Sequence, residues 1–420
     1  MGNLKIKKAD KIIRELYIPG DKSISHRAVM LGAIAKGKTE IKNFLNSEDC
    51  LRTVECFRSM GVRIEVNSLP FDSAQGKQCT VYGNGLHGLK SPKDILYAGN
   101  SGTTVRLMAG ILAGQSFESI ITGDASIQKR PMRRIIEPLT KMGAHITAKE
   151  GGFCPLTIVG SKLKGITYEL PVASAQVKSC IMLAGLYAEG KTKVIEPVPS
   201  RDHTERMLKY LGGKLKMTND QRLTTNDRRF GIDIESGELE GKEIIIPGDI
   251  SSAAYFMVAG AIVPGSDILI KDVGVNPTRT GILEVLHRMG ALVEVTNERI
   301  LANEPRADIK ITFTGKLKRI EMSGSLIPRI IDEIPVIAVL ASQAEGTSII
   351  SDAKELRVKE SDRIATVAEE LRKFGVRIEE KADGMVIHGK PGGLKAANAP
   401  ITSHGDHRIA MSMAVAGLVA

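Results

Sequence analysis

Apolar residues recur along this chain with two different periods. One set is spaced as on the face of a helix, which Ser23 or Ser25 can cap and Gly37 can end: Ile24, Ala28, Leu31 and Ala35. Further along, Val62, Ile64 and Val66 alternate with polar residues and predict a strand. A strand near Ile41 and a helix that bears Leu51, Val54 and Phe57 are expected between them.

The junction from helix to strand recurs five times along the chain. Each time an apolar residue precedes a glycine, which is a good helix C-cap: Met60-Gly61, Met142-Gly143, Leu211-Gly212, Met289-Gly290 and Phe374-Gly375. A period of roughly 70 to 85 residues predicts five complete repeats. A sixth repeat opens at Asp406 and stops at Ala420.

An internal duplication supports the repeats. Residues 19–37, PGDKSISHRAVMLGAIAKG, align without a gap to residues 247–265, PGDISSAAYFMVAGAIVPG. Each repeat has two helices and several short strands, which favours a layered α/β fold over a helical bundle. Three repeats in each of two lobes is the natural division, and the strand before Pro19 can pair with either lobe.

Composition narrows the possible partners. The net charge of +10 fits nucleic acid, anionic metabolites or a generally basic surface. With 4% aromatic residues and no Trp, stacking on nucleic-acid bases is disfavoured, and anionic metabolites are the better functional interpretation. The N-terminus does not resemble a targeting segment, and five cysteines without Cys-x-x-Cys spacing predict neither disulfides nor zinc. We therefore expect a cytoplasmic protein without membrane or nucleic-acid partners.

Candidate chemistry lies where the repeats open. Gly20-Asp21-Lys22-Ser23 places a cation and a hydroxyl at a helix N-terminus, where unpaired N–H groups attract anions, although an ordinary cap beside an exposed lysine looks the same. Gly99 to Thr104 repeats the pattern with a glycine-rich turn that is neither a Walker loop nor a nucleophile elbow.

Four further openings are polar: Arg130-Pro131-Met132, Ser174 to Lys178, Arg201-Asp202-His203 and Lys359 to Arg363. Pro131 suits a first helical turn. Glu360 and Arg363 are expected on one helical face as a solvated ion pair. Asp332-Glu333 interrupts two apolar segments, which favours a functional site because unpaired charges are costly to bury. His404 and His407 have metal-like spacing, but no Cys joins them and Asp406 is a nearby hydrogen-bond partner, so no metal is expected.

Taken together, seven segments occur in the order and spacing of one family: PGDKSISHR, GNSGTTVRL, Arg130-Pro131, SAQVKS, SRDHTE, VKESDR and DHRIAM. The chain resembles the EPSP synthase family, the 3-phosphoshikimate 1-carboxyvinyltransferases, over nearly its whole length. This resemblance implies a two-lobed inside-out α/β barrel of six βαβαββ-type repeats, three per lobe. It places residues 21–243 in the first lobe and residues 1–20 and 244–420 in the second, with the active site in the cleft between them.

The resemblance also implies an activity, the transfer of an enolpyruvyl group from phosphoenolpyruvate to the 5-hydroxyl of shikimate 3-phosphate. Shikimate 3-phosphate would meet Lys22, Ser23, Arg27, Ser174, Ala175, Gln176, Arg201, Asp332 and Lys359. Phosphoenolpyruvate would meet Lys22, Gly102, Arg130, Gln176, Arg363 and Arg408. Asp332 would be the general base and Glu360 the proton donor, with Lys22 sharing in proton transfer. No metal or organic cofactor is implied, and a monomer is expected.

Some features depart from the family pattern or leave alternatives open. The RDHTE, NPTR and SAQVK segments look like the glyphosate-tolerant subgroup, whereas Gly102 is typical of sensitive members. Family members continue with another strand and helix beyond the position of Ala420. Two rival functions are a UDP-N-acetylglucosamine enolpyruvyl transferase and a non-catalytic phosphometabolite-binding protein. The first usually has a Cys just before its Arg-Pro pair, and residues 123–129 contain none.

Overall fold

The computed structural model describes residues 4–67, 77–220 and 229–420. The chain forms two compact units. The first unit is Pro19–Pro247 with Ile300–Glu304, and the second unit is Met1–Ile18 with Gly248–Arg299 and Pro305–Ala420. Among the described residues, no helix combines the length and the apolar character that crossing a membrane requires.

Helices and short strands alternate along the described chain, as the two periods predict. The strands are β1 (Ile13–Tyr17), β2 (Lys36–Phe44), β3 (Arg63–Asn67), β4 (Lys77–Asn84), β5 (Leu96–Tyr97), β6 (Glu118–Thr122), β7 (His145–Lys149), β8 (Phe153–Val159), β9 (Thr167–Glu169), β10 (Thr192–Glu196), β11 (Leu215–Asp220), β12 (Arg229–Ile234), β13 (Glu243–Ile245), β14 (Asp267–Gly274), β15 (Leu292–Leu301), β16 (Glu304–Thr312), β17 (Glu321–Met322), β18 (Gly346–Ile350), β19 (Arg377–Lys381) and β20 (Gly384–Gly389).

The α-helices are α1 (Lys22–Ile34), α2 (Glu48–Ser59), α3 (Gly102–Ala113), α4 (Arg133–Lys141), α5 (Ala175–Gly185), α6 (His203–Tyr210), α7 (Ile250–Ile262), α8 (Gly281–Arg288), α9 (Ile327–Ile330), α10 (Ile334–Ser342), α11 (Arg363–Lys373) and α12 (His407–Gly417). Short 3-10 helices cover Ile127–Lys129, Gly324–Leu326 and Lys354–Val358.

The strands of the described residues form five sheets of four strands with a common connectivity. In each sheet an outer strand runs parallel to its neighbour, and that neighbour runs antiparallel to the third strand. The orders are β13-β2-β4-β3, β5-β6-β8-β7, β9-β10-β12-β11, β1-β14-β16-β15 and β17-β18-β20-β19. This recurrence is the structural form of the repeats seen in the sequence.

Two of the parallel outer strands come from distant parts of the chain. In the first unit β13 pairs with β2, and in the second unit β1 pairs with β14. The duplicated Pro-Gly-Asp segments follow directly after β1 and β13. Gly20 is required there by close packing, because a Cβ would lie 1.9 Å from the carbonyl oxygen of Asn43.

Each unit has its own apolar core around helices that are buried on nearly all sides. These are α1, α3 and α5 in the first unit and α7 and α10 in the second, where α12 also packs against the core but leaves Ala410 and Met411 exposed. A helix that is apolar all round is expected to be buried in this way. The N-termini of α1, α3 and α5 carry the segments that sequence analysis singled out.

The predicted glycine caps are confirmed. Gly61, Gly143, Gly212, Gly290 and Gly375 follow the ends of α2, α4, α6, α8 and α11 with φ between 82° and 100°. Such left-handed backbone is easily adopted by glycine at a helix end. The predicted cap of α1 is wrong: Asp21, not Ser23 or Ser25, accepts from Ile24 N at 2.9 Å, and α1 ends at Ile34.

Candidate active site

The N-terminus of α1 combines a buried cap with a paired lysine. Asp21 is buried and caps the helix, so Lys22 is its first residue. Lys22 Nζ donates to Asp49 Oδ2 at 3.1 Å, and Asp49 lies on the neighbouring helix α2. Sequence analysis missed Asp49 because it lies 27 residues away. The pair fixes the ammonium group of Lys22 at the N-terminus of α1.

Arg27 is held by hydroxyl groups on two other helices. Its Nε donates to Thr204 Oγ1 at 2.7 Å and its Nη2 to Ser179 Oγ at 3.0 Å. Its Nη1 donates to the carbonyl of Ser23 at 3.0 Å. Burial lowers the pKa of Arg27 to about 10, and the charge of Glu205 opposes that shift. Arg27 therefore remains cationic at neutral pH and has a fixed orientation.

The N-terminus of α3 lies beside two guanidinium groups. Ser101 caps the helix, and Gly102 is its first residue. A Cβ on Gly102 would lie 3.2 Å from Arg106 Nη1 and 3.3 Å from Arg130 Nη1. The absence of a side chain at Gly102 leaves the helix N-terminus open beside both cations, which suits a small anion.

Arg130 is buried, and its Nη2 donates to Asn100 Oδ1 and, at 3.1 Å, to Ser126 Oγ. The expectation that Pro131 lies in a first helical turn is wrong, because α4 begins only at Arg133 and has no side-chain cap at Met132. Arg130 instead follows the 3-10 helix Ile127–Lys129 in extended conformation.

Gln176 connects α5 to this cluster. Its Oε1 accepts from Arg106 Nη1 at 2.5 Å, and its Nε2 donates to Thr103 Oγ1 at 3.2 Å. Gln176 follows Ser174, which caps α5 by accepting from Val177 N at 3.5 Å, and Ala175, the first helical residue. Three residues predicted for one substrate, Gly102, Arg130 and Gln176, thus lie around Arg106.

Arg201 lies in a loop that a buried ionic cluster fixes. Lys178 Nζ lies 2.7 Å from Glu196 Oε2 and 2.7 Å from Glu205 Oε1, and all three side chains are buried. Lys178 Nζ also donates to the carbonyl of Ser200 at 3.3 Å. Burial alone would lower the pKa of Lys178, but the two carboxylates raise it. Sequence analysis placed Lys178 in a polar helix opening without its partners.

Arg363 is the centre of the second unit's polar cluster. Its guanidinium is buried and contacts three carboxylates. Nη2 lies 2.6 Å from Glu360 Oε2, Nη1 lies 3.2 Å from Asp332 Oδ1, and Nε lies 2.8 Å from Asp406 Oδ2. Burial alone would lower the pKa of Arg363, but these carboxylates raise it. The expectation of a solvated pair on one helical face is wrong, because the guanidinium is buried and Glu360 precedes the first residue of α11.

Arg408 also reaches Asp332. Its Nη1 donates to the carbonyl oxygen of Asp332 at 3.2 Å, and its Nη2 lies 3.8 Å from Asp332 Oδ2. Asp406 caps α12 by accepting from Arg408 N at 2.9 Å, so this one carboxylate fixes both arginines. Lys359 lies 3.3 Å from Glu355. One cluster of the second unit therefore contains Asp332, Glu360, Arg363 and Arg408. Lys359 directly precedes Glu360 in the sequence.

The side chains of Asp332 and Glu333 lie in different environments. Asp332 faces the arginines, whereas Glu333 is fully buried and accepts from Ser251 Oγ. Arg279, in the Asn-Pro-Thr-Arg segment, donates to the same hydroxyl at 2.7 Å and to Asp249 at 3.3 Å. The apolar segments on either side of the pair form α9 and α10.

His404 has a different partner from the one expected. Its Nε2 lies 2.8 Å from Glu370 Oε1. Glu370 and Glu369 lie close enough to His404 to share an ion. Lys373 Nζ already lies 2.8 Å from Glu370, and Thr402 N donates to the same carboxylate at 3.0 Å. Lysine therefore supplies the positive charge that this carboxylate needs. All five cysteines are buried and free.

Comparison with known proteins identifies the family. The family model for EPSP synthase (3-phosphoshikimate 1-carboxyvinyltransferase) matches residues 6–420. The chain belongs to the EPSP synthase family. A 3-phosphoshikimate 1-carboxyvinyltransferase of Bacillus velezensis is 53% identical over 98% of this chain and 92% of its own length. One from a Thermoanaerobacter species is 53% identical over 100% of this chain and 94% of its own length.

Solved structures agree with this membership. An EPSP synthase from Acinetobacter baumannii matches with a TM-score of 0.81 at 47% identity, covering 98% of this chain and 91% of that one. The enolpyruvyl transferase NikO from Streptomyces tendae matches with a TM-score of 0.73 at 16% identity, over 99% of this chain and 90% of that one. The second likeness shows the fold alone. Together the two confirm the α/β fold class predicted from the sequence.

Proposed function

We propose that this chain transfers the enolpyruvyl group of phosphoenolpyruvate to the 5-hydroxyl of shikimate 3-phosphate and releases phosphate. Membership of the EPSP synthase family supports this activity. The observation that carries the proposal is the buried guanidinium of Arg363, which contacts both Glu360 and Asp332. The reaction is a transferase step of the shikimate pathway, which leads to chorismate and the aromatic amino acids.

In this proposal shikimate 3-phosphate meets Lys22, Ser23, Arg27, Ser174, Ala175, Gln176, Arg201, Asp332 and Lys359. The helix N-termini of α1 and α5 and the fixed guanidinium of Arg27 support this assignment, since all three favour a multiply charged anion.

In this proposal phosphoenolpyruvate meets Lys22, Gly102, Arg130, Gln176, Arg363 and Arg408. The two guanidinium groups beside Gly102 support the assignment of Gly102 and Arg130. Arginine pairs with carboxylate and phosphate through two parallel hydrogen bonds, which fixes the orientation of the anion.

The proposed reaction is an addition followed by an elimination. Asp332 accepts the proton of the 5-hydroxyl while the oxygen of that hydroxyl bonds to C2 of phosphoenolpyruvate. At the same time Glu360 gives a proton to C3. The product of this step is a tetrahedral ketal. In the elimination the C2–O bond to phosphate breaks, the carboxylate of Glu360 takes a proton back from C3, and the double bond re-forms. Lys22 shares in proton transfer and stabilises the charge of the phosphate that leaves.

Arg363 links binding to this chemistry. An incoming carboxylate or phosphate competes with Glu360 for the guanidinium, which frees Glu360 for its role at C3. Arg363 and Glu360 are paired at 2.6 Å in the structure, so an anion that binds this guanidinium must compete with the carboxylate. We further propose a monomer that works in the cytoplasm, where five free cysteines would stay reduced.

Phosphate release tests the proposal. We expect release only when phosphoenolpyruvate and shikimate 3-phosphate are both present, at a rate that a chelator leaves unchanged. Release with UDP-N-acetylglucosamine in place of shikimate 3-phosphate would assign the chain to the rival enolpyruvyl transferase. Binding of both substrates without any release would instead indicate a phosphometabolite-binding protein.

A further inference from the structure

Four buried polar side chains form a continuous hydrogen-bonded chain inside the first unit. His26 Nδ1 lies 2.7 Å from Thr53 Oγ1, and Thr53 Oγ1 lies 2.7 Å from Thr104 Oγ1. Thr104 Oγ1 lies 2.7 Å from Ser101 Oγ. None of the four residues is more than 2% exposed. The hydrogen-bonded chain therefore joins α1, α2 and α3 away from solvent.

The direction of each hydrogen bond follows from the number of protons. Thr104 donates its hydroxyl hydrogen to Ser101 Oγ, which also accepts from Thr104 N at 3.1 Å. Since a threonine has one hydroxyl hydrogen, Thr53 must donate to Thr104, and His26 Nδ1 must donate to Thr53. His26 is therefore the Nδ1–H tautomer.

The surroundings of His26 agree with a neutral ring. Burial lowers the pKa of His26 to about 3. Its Nε2 is buried and accepts no hydrogen bond from the described residues. A neutral ring with a single proton on Nδ1 fits both facts, and His26 remains a fixed donor over the whole physiological pH range.

Both ends of the hydrogen-bonded chain lie beside residues assigned to substrates. Ser101 caps α3 and precedes Gly102, which lies between Arg106 and Arg130. His26 precedes Arg27 on α1. A shift of Ser101 would therefore move the helix N-terminus against which phosphoenolpyruvate is proposed to bind.

We propose that His26, Thr53, Thr104 and Ser101 act together as positioning residues that hold the N-terminus of α3 and thereby fix Gly102 for phosphoenolpyruvate. This inference rests on the proposed function. None of the four touches substrate in the assignments above. Their effect is transmitted through the cap of α3 and through the fixed spacing between α1 and α3.

Thr53→Val tests the proposal because it keeps the shape of the side chain and removes its hydroxyl. His26 Nδ1 then has a proton and no acceptor, and Thr104 Oγ1 loses its donor. We expect the KM for phosphoenolpyruvate to rise about tenfold, which is about 1.4 kcal/mol, while the KM for shikimate 3-phosphate changes less than twofold. Thr53→Ser retains the hydroxyl and should restore the KM for phosphoenolpyruvate.

Thr39→Val is the matched control. Thr39 is also fully buried in the first unit, and its Oγ1 makes no hydrogen bond with the described residues. This variant should leave both KM values unchanged. Ser101→Ala breaks the hydrogen-bonded chain at its other end and should reproduce the selective rise, which provides a test if Thr53→Val does not fold.

Nitrogen-15 NMR of the histidine rings gives a second readout without turnover. The His26 signal, identified by its loss in His26→Asn, should show the Nδ1–H tautomer in the wild type and change in Thr53→Val but not in Thr39→Val. An Nε2–H tautomer in the wild type, an equal rise in both KM values or a rise in Thr39→Val would overturn the proposal. Failure of the wild type to release phosphate from the two substrates would instead refute the proposed function.

Discussion

Arg363 Nη2 lies 2.6 Å from Glu360 Oε2, although Glu360 stands outside the helix that Arg363 begins. The same guanidinium reaches Asp332 at 3.2 Å. The two carboxylates that we assign to proton transfer are thus held by the arginine that we assign to phosphoenolpyruvate. One guanidinium therefore positions both groups that we assign to proton transfer.

Removing either carboxylate should therefore affect turnover more than binding. We expect Glu360→Gln and Asp332→Asn each to lower kcat about 100-fold or more, as for general acid and base groups, with KM values within severalfold. Steady-state phosphate release measures both constants. Glu321→Gln, an exposed glutamate of the same unit, is the control and should keep the wild-type kcat. Near-normal turnover in both carboxylate variants would refute the proposed mechanism.

The local part of this structure could be predicted from the sequence. The five glycine caps depend on a few adjacent residues and were correctly placed. The cap of α1 was not, because Asp21 and Ser23 compete for the same role and the choice depends on where the chain leaves Gly20. Where local backbone preferences alone determine the end of a helix, the periodicity of apolar residues and the capping residue are enough to predict it.

Partners distant in sequence could not be predicted. Asp49 for Lys22, Asp406 for Arg363 and Glu370 for His404 lie 27, 43 and 34 residues from the groups they hold. Each contact depends on how helices pack, which periodicity does not specify. Segments rich in polar residues at helix openings were nevertheless correct indicators of where charged clusters lie.

Gly102→Ala should selectively weaken the binding of phosphoenolpyruvate. The added Cβ would lie 3.2 and 3.3 Å from the ends of the Arg106 and Arg130 side chains, which must shift by a few tenths of an ångström to accommodate it. We expect the KM for phosphoenolpyruvate to rise about tenfold, with stability within about 1 kcal/mol of the wild type.

Gly110→Ala, in the same helix, provides the contrast. Its Cβ would lie 2.2 Å from the backbone oxygen of Cys180, which cannot move away easily. We expect a loss of about 1–3 kcal/mol in the free energy of unfolding without a selective change in KM. Thermal melts and kinetics of the two variants separate these effects, and a melt of Gly102→Ala like that of Gly110→Ala would contradict the prediction.

The carboxylate of Glu370 should make stability depend on pH. Burial alone would raise its pKa, but Lys373, His404 and Thr402 N lower it below the ordinary value of 4.5. A group with a lowered folded-state pKa contributes stability that is present above its unfolded-state pKa and is lost as the pH falls through the folded-state pKa.

Glu370→Gln should thus melt at a lower temperature than the wild type at pH 7, and the difference should shrink as the pH falls below about 4.5. Chemical or thermal denaturation across this pH range measures the effect. Glu369→Gln, the exposed neighbour on α11, is the matched control and should show little difference at any pH. A constant difference between Glu370→Gln and the wild type would show that the charge of Glu370 is not responsible.

Removing one member of the buried ionic cluster around Lys178 should lower the free energy of unfolding more than removing one member of an exposed ion pair. Lys178→Met leaves Glu196 and Glu205 buried without their cation, and breaking a buried pair in this way costs about 3–5 kcal/mol. Lys141→Met removes an exposed lysine 2.8 Å from Glu137 and should cost about 1 kcal/mol or less. Replacing the whole cluster with Met and two Gln should recover part of the lost stability, because no uncompensated charge then remains buried. Urea denaturation of the three variants measures these losses. Equal losses for Lys178→Met and Lys141→Met would show that the buried cluster stabilises the fold no more than an exposed ion pair does.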